Sequence, residues 1–426
     1  MLSERRLSHN TLILFANNGF TAFLAFGLTV IIARGLGDAA LGRYAAIMAW
    51  VLPLSLLTEF GIGTLITRNV ARQRDDASHY LKMTYPVRWL MGGGIIAVVW
   101  MVAPLLGHDS QIIAGLRIGI FLALIDALFA SYTAVLRAWE MMWPILILNT
   151  GYLTLQVVGA VVVVVMHGSV AGLLAVIVVA DAIQLVATWG VWQKVKASRI
   201  NSNLTHRPPL QRGEGEQKIF RAGSLLKQAW PFMVAGVLAT LQLRMVILIL
   251  QTHVGNEAMG WYAAANRVVE ATRMLPNAAF GALFPMLAAL VDNPPRMRHI
   301  FRQAALLLVI YGVGIGGMAF LGAKPFINLI FGPDFKAAGA TLIILVWAIL
   351  PGGLRGLITL RLYAYHREWW VNLATACALI IQVGLGWWLI GERGLTGAAW
   401  TIVLAEILLA GLLFGMAGRS GDTMSS

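Results

Sequence analysis

Five arginines stand where arginine is expensive. Arg117, Arg244, Arg267, Arg273 and Arg355 all fall inside stretches of chain that are otherwise almost wholly apolar. At the centre of a bilayer each would cost about 2.5–3.5 kcal/mol on insertion scales. Five central ones would together cost about 12–18 kcal/mol, more than the net stability of most folds. Arginines near a helix end reduce that sum by reaching to the interface. The rest need an acidic partner or a watery cavity. The acids at hand are Glu59, Asp126, Asp181, Glu270 and Glu406.

Spacing sorts some of these groups. Arg267, Glu270, Met274 and Asn277 recur at intervals of three and four, so a helix puts them on one face. Arg267 can pair with Glu270, and Arg273 is also three residues from it. This group is either an ion pair that ties helices together or the polar wall of a path. Arg244 lies in ATLQLRMVILILQ, with Gln242 and Gln251 as its polar company and no acid on its helix. It asks for an anion. Arg355 closes the stretch LPGGLR, where Pro351, Gly352 and Gly353 are expected to break a helix in mid-membrane and free backbone groups. Both cavity lining and a hinge beside a buried pair fit it. Arg117, near a helix end, is expected to snorkel. Asn17 and Asn18 are adjacent in mid-span, suited to hydrogen bonds between helices or to a hydroxyl-rich substrate. A cavity richer in arginine than in acid attracts anions and repels organic cations. Arginine's planar fork suits phosphate oxygens, so the expected cargo carries a phosphate or acidic group.

Other chemistries find no footing in the sequence. No Gly-rich phosphate loop is present, so no resident ATPase is expected. The eight histidines are scattered, and the one cysteine, Cys377, lies in an apolar run where core packing is the expected role. Asp75 and Asp76 are paired but sit in a basic loop, which reads as solvated loop. No cofactor, no metal and no catalytic residue are expected, and the chain is not read as an enzyme.

The elements that must position these arginines are membrane helices. The 426 residues are 59% hydrophobic and 12% charged, against about 25% charged in a soluble domain. That much apolar side chain needs lipid as solvent. Twelve long apolar runs follow one another, roughly 11–33, 44–66, 84–105, 111–136, 144–166, 169–192, 229–252, 261–288, 303–322, 338–360, 370–390 and 395–417. Each can cross about 30 Å of hydrocarbon at 1.5 Å per residue. The first is longer than the apolar part of a signal peptide, so it is expected to be retained. With the N-terminus in the cytoplasm, 22 basic residues fall inside and five outside, a strong positive-inside bias. That bias also accounts for the net charge of +13 without a nucleic-acid partner.

A basic, polar stretch at 194–227 divides the chain into bundles at 1–193 and 228–426. Its end, IFRAGSLLKQ, is suited to lie on the membrane surface. The two halves echo each other. GDAALGRYAA from Gly37 repeats as GNEAMGWYAA from Gly255, with six of ten positions identical. GLLAVIVVADAI from Gly172 aligns with GAAWTIVLAEIL from Gly397, which sets Asp181 against Glu406. Gly42 is expected where the chain crowds, and Tyr44 and Tyr262 at the interface. The expected fold is all-α and polytopic, with twelve transmembrane helices. Two six-helix bundles are related by a pseudo-twofold along the membrane normal, as in rocker transporters.

The stretch ARGLGDAALGRYAAIMAWVLPLSLLTEFGIGTLITRNVAR resembles the amino-terminal signature of Wzx-like polysaccharide flippases, members of the multidrug/oligosaccharidyl-lipid/polysaccharide exporter superfamily. The pattern is carried by Ala33 to Gly37, Gly42 to Tyr44, Glu59 with Gly61, and Arg68. VGNEAMGWYAAANRV and FGPDFKAAGATLIILVWAI resemble further parts of that family. The resemblance implies a transporter of the bacterial inner (cytoplasmic) membrane with both termini cytoplasmic. It would flip an undecaprenyl-pyrophosphate-linked oligosaccharide to the periplasmic leaflet for O-antigen, exopolysaccharide or capsule assembly. Membrane lipids, polysaccharide polymerase and chain-length proteins are the implied partners, with no nucleic acid. Arg244, Arg267, Arg273 and Arg355 are the candidates to hold the pyrophosphate and glycan, with Asn17 and Asn18, and Arg68 at the cytoplasmic mouth. Glu59, Asp126 and Glu270 are the candidates for ion coupling or internal salt bridges. The rivals are a multidrug exporter of the same superfamily, which wants an acidic cavity; a peptidoglycan-precursor flippase, which usually carries fourteen helices and basic residues in helix 1; and a membrane-embedded polysaccharide polymerase or ligase, which wants a large outside loop.

Overall fold

The computed structural model describes residues 2–73, 76–107, 109–206 and 222–418. Among these the chain is helix joined by short turns, with no strand. An apolar segment in lipid has no water for its backbone, and a helix satisfies its N–H and C=O groups internally. The first half holds α1 (Leu2–Leu36), α2 (Asp38–Glu59), α3 (Ile62–Arg72), α4 (Ala77–Val102), α5 (Ser110–Gly119), α6 (Phe121–Ala138), α7 (Met142–Val165) and α8 (Val170–His206). The second holds α9 (Ala222–His253), α10 (Asn256–Thr272), α11 (Met274–Ala288), α12 (Pro294–Phe331), α13 (Lys336–Leu345), α14 (Ile349–Ala364) and α15 (Glu368–Gly418). Of the 194–227 stretch, the described ends are helical, belonging to α8 and α9; residues 207–221 and Asp75 lie outside the described residues.

Among the described residues ten helical stretches are long and apolar enough to cross a membrane, and the protein is a multi-pass membrane protein. The last stretch, Glu368–Ala417, has 50 residues. At 1.5 Å per residue that is about 75 Å, more than twice the hydrocarbon thickness. It is not straight. Gly394 takes φ 54° and ψ −124°, and a methyl on Gly397 would sit against the backbone of Leu389, eight residues back. The chain therefore doubles back there. Exposed Trp369 and Trp370 stand at one end of its first limb and exposed Trp387 and Trp388 near the other. Eighteen residues of helix separate them, about 27 Å, the spacing of two aromatic belts.

Four expected spans are interrupted: the run at 111–136 at Ile120, between α5 and α6, and three others for a clear local reason. The run expected at 44–66 ends at Glu59, because Phe60 (φ 52°) and Gly61 (φ 67°) take the left-handed conformation. After them α3 is a short amphipathic helix that buries Ile62, Leu65, Ile66 and Val70 and leaves Arg68 exposed. The run expected at 261–288 splits at Arg273 into α10 and α11. Pro276 has no N–H to give the Thr272 carbonyl four residues back. The Tyr311 hydroxyl donates to that carbonyl instead, at 2.6 Å. The break expected at Pro351–Gly353 comes earlier, as a 3-10 turn at Val346–Ala348. Pro351 itself sits in the first turn of α14, where the missing N–H costs nothing.

The chain forms two compact units. Unit 1 gathers Met1–Thr21, Val51–Gly159 and Ala171–Val237. Its core sets α3 against α4 and α6, with Leu65, Ile66, Tyr80, Leu81, Tyr132 and Val135 buried together. Unit 2 gathers Ala22–Trp50, Ala160–Val170 and Leu238–Ser426. There Ile358 and Leu362 of α14 pack on Ala374, Leu409 and Leu413 of α15, and Leu357 packs on Leu287 and Met297. The helices α1, α2, α7 and α9 each have residues in both units.

Two expectations about single residues fail. Cys377 is exposed on the outer face of its helix rather than packed in a core. Tyr262 is 1% exposed, not at a wet interface, because the start of α2 packs over α10.

The Tyr311 hydroxyl is testable. Tyr311→Phe leaves the Thr272 carbonyl without a donor, at a cost of about 1–3 kcal/mol, and lowers the unfolding temperature in detergent. Pro276→Ala restores an N–H to that carbonyl, so in that background the penalty of Tyr311→Phe shrinks; an equal penalty in both backgrounds contradicts this origin of the break.

Candidate functional site

Unit 2 brings four of the five intramembrane arginines together on two glutamates. Glu270 of α10 takes Arg267 at 2.9 Å, one turn away on its own helix, and Arg244 of α9 at 3.6 Å. The Asn266 side-chain amide adds a hydrogen bond to the same carboxylate at 3.0 Å. Glu406 of α15 takes Arg355 of α14 at 2.7 Å and Arg273, at the α10–α11 break, at 3.2 Å. Each carboxylate therefore stands between two guanidinium groups. Every member keeps the burial of a wall residue rather than a core residue, except Glu406, whose side chain is 8% exposed.

The folding reason lies in the breaks. The α10–α11 break, forced by Pro276, places Arg273 at a helix end where its side chain can leave the line of Arg267 and Glu270. Gly352 lets α14 pass close to α15: a methyl there would stand 3.4 Å from the Glu406 carboxylate. Those approaches bring Arg273 and Arg355 onto one acid from two elements.

A cavity of about 110 Å³ opens beside the two groups, lined by Asn266, Glu270, Arg273, Arg355, Gln382 and Glu406 among others. Gln382 donates to the Gln242 carbonyl at 2.9 Å, and its own side-chain oxygen has no partner. The Nε atoms of Arg267 and Arg273 likewise have none. At roughly 30 Å³ per liquid water the space suits a few waters or one phosphate-sized group. Four arginines against two glutamates leave two positive charges unbalanced. At low dielectric such an excess attracts an anion strongly.

The sequence-derived candidates divide accordingly. Arg244, Arg267, Arg273, Arg355 and Glu270 meet in unit 2. The acid for Arg244 and Arg273 was not the one expected. Arg244, which lacks an acid on its own helix, finds Glu270 across helices, and Arg273 goes to Glu406 rather than to Glu270. Arg68 is exposed on α3, in unit 1. Asn17 accepts from the Asn149 amide at 3.1 Å, and Gln184 donates to Asn149 at 3.2 Å, so Asn17 ties α1, α7 and α8 together. Asn18 is exposed. Glu59 accepts from the Gly63 N–H at 3.0 Å and thereby caps α3. Asp126 lies beside Asp181, to which Gln156 donates at 3.0 Å, and makes no ion pair among the described residues. Arg117 lies over the Trp100 ring at 5.4 Å, as a snorkelling arginine would.

Two groups escaped the sequence. Arg88 falls in the run expected at 84–105 but is not among the five arginines singled out from the sequence; it is fully buried within α4, near Glu59, and none of its guanidinium nitrogens has a partner. It stands near the start of that run, where an arginine is expected to reach the interface. Gln382 was overlooked because it is uncharged, although a lone amide in ALIIQVGLG is itself a signal in a membrane span.

These features define a class: a helical membrane protein of two compact units whose second unit holds an arginine-rich cavity. The sequence model of the polysaccharide biosynthesis protein family matches residues 7–291, so the chain belongs to that family. No protein with curated function matches it by sequence. Among solved structures it is similar to the lipid II flippase MurJ in an inward closed conformation, with a TM-score of 0.76, 13% identity, and 95% of this chain and 87% of that one covered. It is also similar to an inward-facing multidrug resistance MATE family transporter of the MOP superfamily, with a TM-score of 0.73, 13% identity, and 97% and 99% covered. A third is a MOP superfamily transporter from Pyrococcus furiosus, with a TM-score of 0.66, 14% identity, and 98% and 96% covered. At these identities the likeness is one of fold.

The two glutamates differ in burial, and so should their loss. Glu406→Ala leaves two arginines uncompensated in a buried place, at a cost of about 3–5 kcal/mol. Glu270 is 31% exposed, so water replaces more of its lost interaction. Thermal unfolding in detergent is expected to show the larger drop for Glu406→Ala; an equal or larger drop for Glu270→Ala contradicts the assignment of Glu406 as the central counter-ion.

Proposed function

We propose that this protein is a flippase for a lipid-linked oligosaccharide, with the arginine-rich cavity of unit 2 receiving the pyrophosphate. The cargo is an undecaprenyl-pyrophosphate-linked repeat unit, moved from the cytoplasmic to the periplasmic leaflet by alternating access for O-antigen, exopolysaccharide or capsule assembly. The observation that carries this reading is the charge balance: two carboxylates hold four guanidinium groups, and both carboxylates line a cavity together with Arg273 and Arg355. An anionic headgroup supplies the missing negative charge without any change in the protein's protonation. Membership of the polysaccharide biosynthesis family supports the glycan, and the fold shared with flippases and exporters supports movement rather than chemistry.

The frame fits a transporter. With α10 and α11 taken as one crossing and the 50-residue α15 stretch as two, the chain crosses twelve times, six in each of the bundles 1–193 and 228–426. The basic-residue bias puts both termini in the cytoplasm. Arg68, exposed on α3, is placed to meet an anionic headgroup at the cytoplasmic mouth. Ion coupling falls to Asp126 rather than to Glu59 or Glu270, because those two are committed, one as a helix cap and one between arginines. A multidrug exporter of organic cations fits this cavity poorly, since its surplus charge has the wrong sign.

The test is leaflet transfer in proteoliposomes that carry a fluorescent glycan on a lipid pyrophosphate, followed by an external quencher. Wild type is expected to transfer it, and Arg273→Ala and Arg355→Ala to lose at least about tenfold in rate, the equivalent of 1.4 kcal/mol of headgroup binding. Transfer at the wild-type rate by both variants, or transport of an organic cation in place of the glycan lipid of the native host, would sink the proposal.

A further inference from the structure

The repeated motif poses a separate question: of its residues Tyr262 lies near Arg273, Glu270 and Arg244, while Asp38, Gly42, Gly260 and Trp261 make other contacts. All of them lie in unit 2, because Ala22–Trp50 packs with the second half of the chain. The Arg34 guanidinium reaches the C-terminal end of α12, donating to the Ile330 carbonyl at 2.8 Å and also to the Leu329 carbonyl. A cation at a helix C-terminus satisfies orphan carbonyls and meets the negative end of the dipole. Asp38, at the start of α2, accepts from the Trp261 indole N–H of α10 at 2.9 Å.

Between these contacts the two copies of the motif meet. A methyl on Gly42 would sit on the Asn256 carbonyl oxygen and 2.8 Å from the Gly260 nitrogen. A methyl on Gly260 would sit on the Asp38 carbonyl oxygen and 3.2 Å from the Asp38 Cα. Residues 38 and 256 occupy the same place in the repeat, and so do 42 and 260. The contact is therefore reciprocal, as across a local twofold axis. The crowding atoms are backbone, so no side chain can move aside to admit a Cβ.

The same geometry makes the contact reversible. It joins the N-terminal turns of α2 and α10, whose positive dipole ends face each other. Asp38 in one first turn and Glu257 in the other offset that repulsion. The two copies bury Ala40, Leu41, Met259 and Tyr262, and the specific ties across the contact include the backbone approach, the indole bond and the guanidinium cap. Moreover, α1 and α2 leave unit 2 at Thr21 and Val51 and continue in unit 1. A helix shared by two units must change partners when either one moves.

We infer that the repeated motif is a latch: Arg34, Asp38 and Gly42 close one end of unit 2 onto α12, Trp261 and Gly260, and part from them during the working cycle. This rests on the transporter reading above, which requires an end that opens, and the basic-residue bias makes this end the periplasmic one. The two glycines are the part that only glycine can supply. Alanine at either one holds the latch apart while leaving every named side-chain contact chemically intact.

Spin-label distances test this without any cargo. Labels at Leu36→Cys and Thr252→Cys, in a Cys377→Ser background in proteoliposomes, report whether Ala22–Trp50 lies on α9 and α10. The parent protein is expected to show a short-distance population. Gly42→Ala and Gly260→Ala are each expected to deplete it relative to longer distances by at least about tenfold, and Gly27→Ala, which has open space around it, to leave it unchanged. Should the glycine variants fail to fold, Trp261→Phe, which removes only the indole N–H, is expected to shift the same population in the same direction. The parent's distribution persisting in the glycine variants, or in Trp261→Phe where those cannot be purified, overturns the latch. Because the readout needs no substrate, a shifted distribution beside absent glycan transfer keeps the latch and removes the flippase, and the reverse pair does the opposite.

Discussion

A carboxylate shared by two guanidinium groups is the interaction on which unit 2 depends. Each arginine placed in the hydrocarbon region costs several kcal/mol unless something answers its charge. One glutamate per arginine would answer it fully and leave a neutral, inert wall. One glutamate per two arginines, as at Glu270 and Glu406, keeps all four side chains in place and leaves surplus charge. The arrangement is stable enough to fold and unsatisfied enough to bind. Its helix breaks serve the same end. Arg273 reaches Glu406 from the α10–α11 junction, and α14 comes close enough at Gly352 to bring in Arg355.

The two halves of the chain spend their corresponding acids differently. Asp181 and Glu406 align in the repeat, in the last helix of each half. Glu406 is surrounded by arginine, whereas Asp181 has Gln156 as a donor and a second acid, Asp126, nearby. Corresponding positions of the repeat thus hold opposite electrostatic surroundings. An arginine-rich environment recruits an anion; two neighbouring acids with an amide favour a cation or a proton. That contrast is the physical basis for giving headgroup binding to unit 2 and coupling to Asp126 of unit 1.

Much of the fold was legible because lipid leaves little choice. Long apolar runs must be helices, and their order could be read off residues 11 to 417; the described residues hold ten spanning stretches against the twelve expected, because the run at 261–288 is broken and the last two runs are joined. The arginines that matter were legible too, since a charge in such a run is conspicuous. Less legible was anything decided across helices. Glu270 could be matched to Arg267 from spacing, but Glu406 lies 133 residues from Arg273 and 51 from Arg355, and no periodicity links them. Helix interruptions were half legible. Proline marked the region at 351, yet the 3-10 turn came before it, because proline is harmless in a first turn. Arg88 was passed over for a simpler reason: it stands near the start of its apolar run, where an arginine is expected to reach water, yet α4 buries it. The motif repeat was visible at once, but its reason was not, since it lies in a backbone contact between α2 and α10.

The central claim is that the cavity of unit 2 binds an anion through surplus arginine charge. Its most direct test is equilibrium binding of a short prenyl pyrophosphate to the purified protein, beside the matching prenyl alcohol. The account predicts that the pyrophosphate binds at least about tenfold more tightly, that the difference falls as salt rises, and that Arg273→Ala with Arg355→Ala removes it. Equal affinity for the pyrophosphate and the alcohol, or a preference untouched by that double substitution, would contradict it.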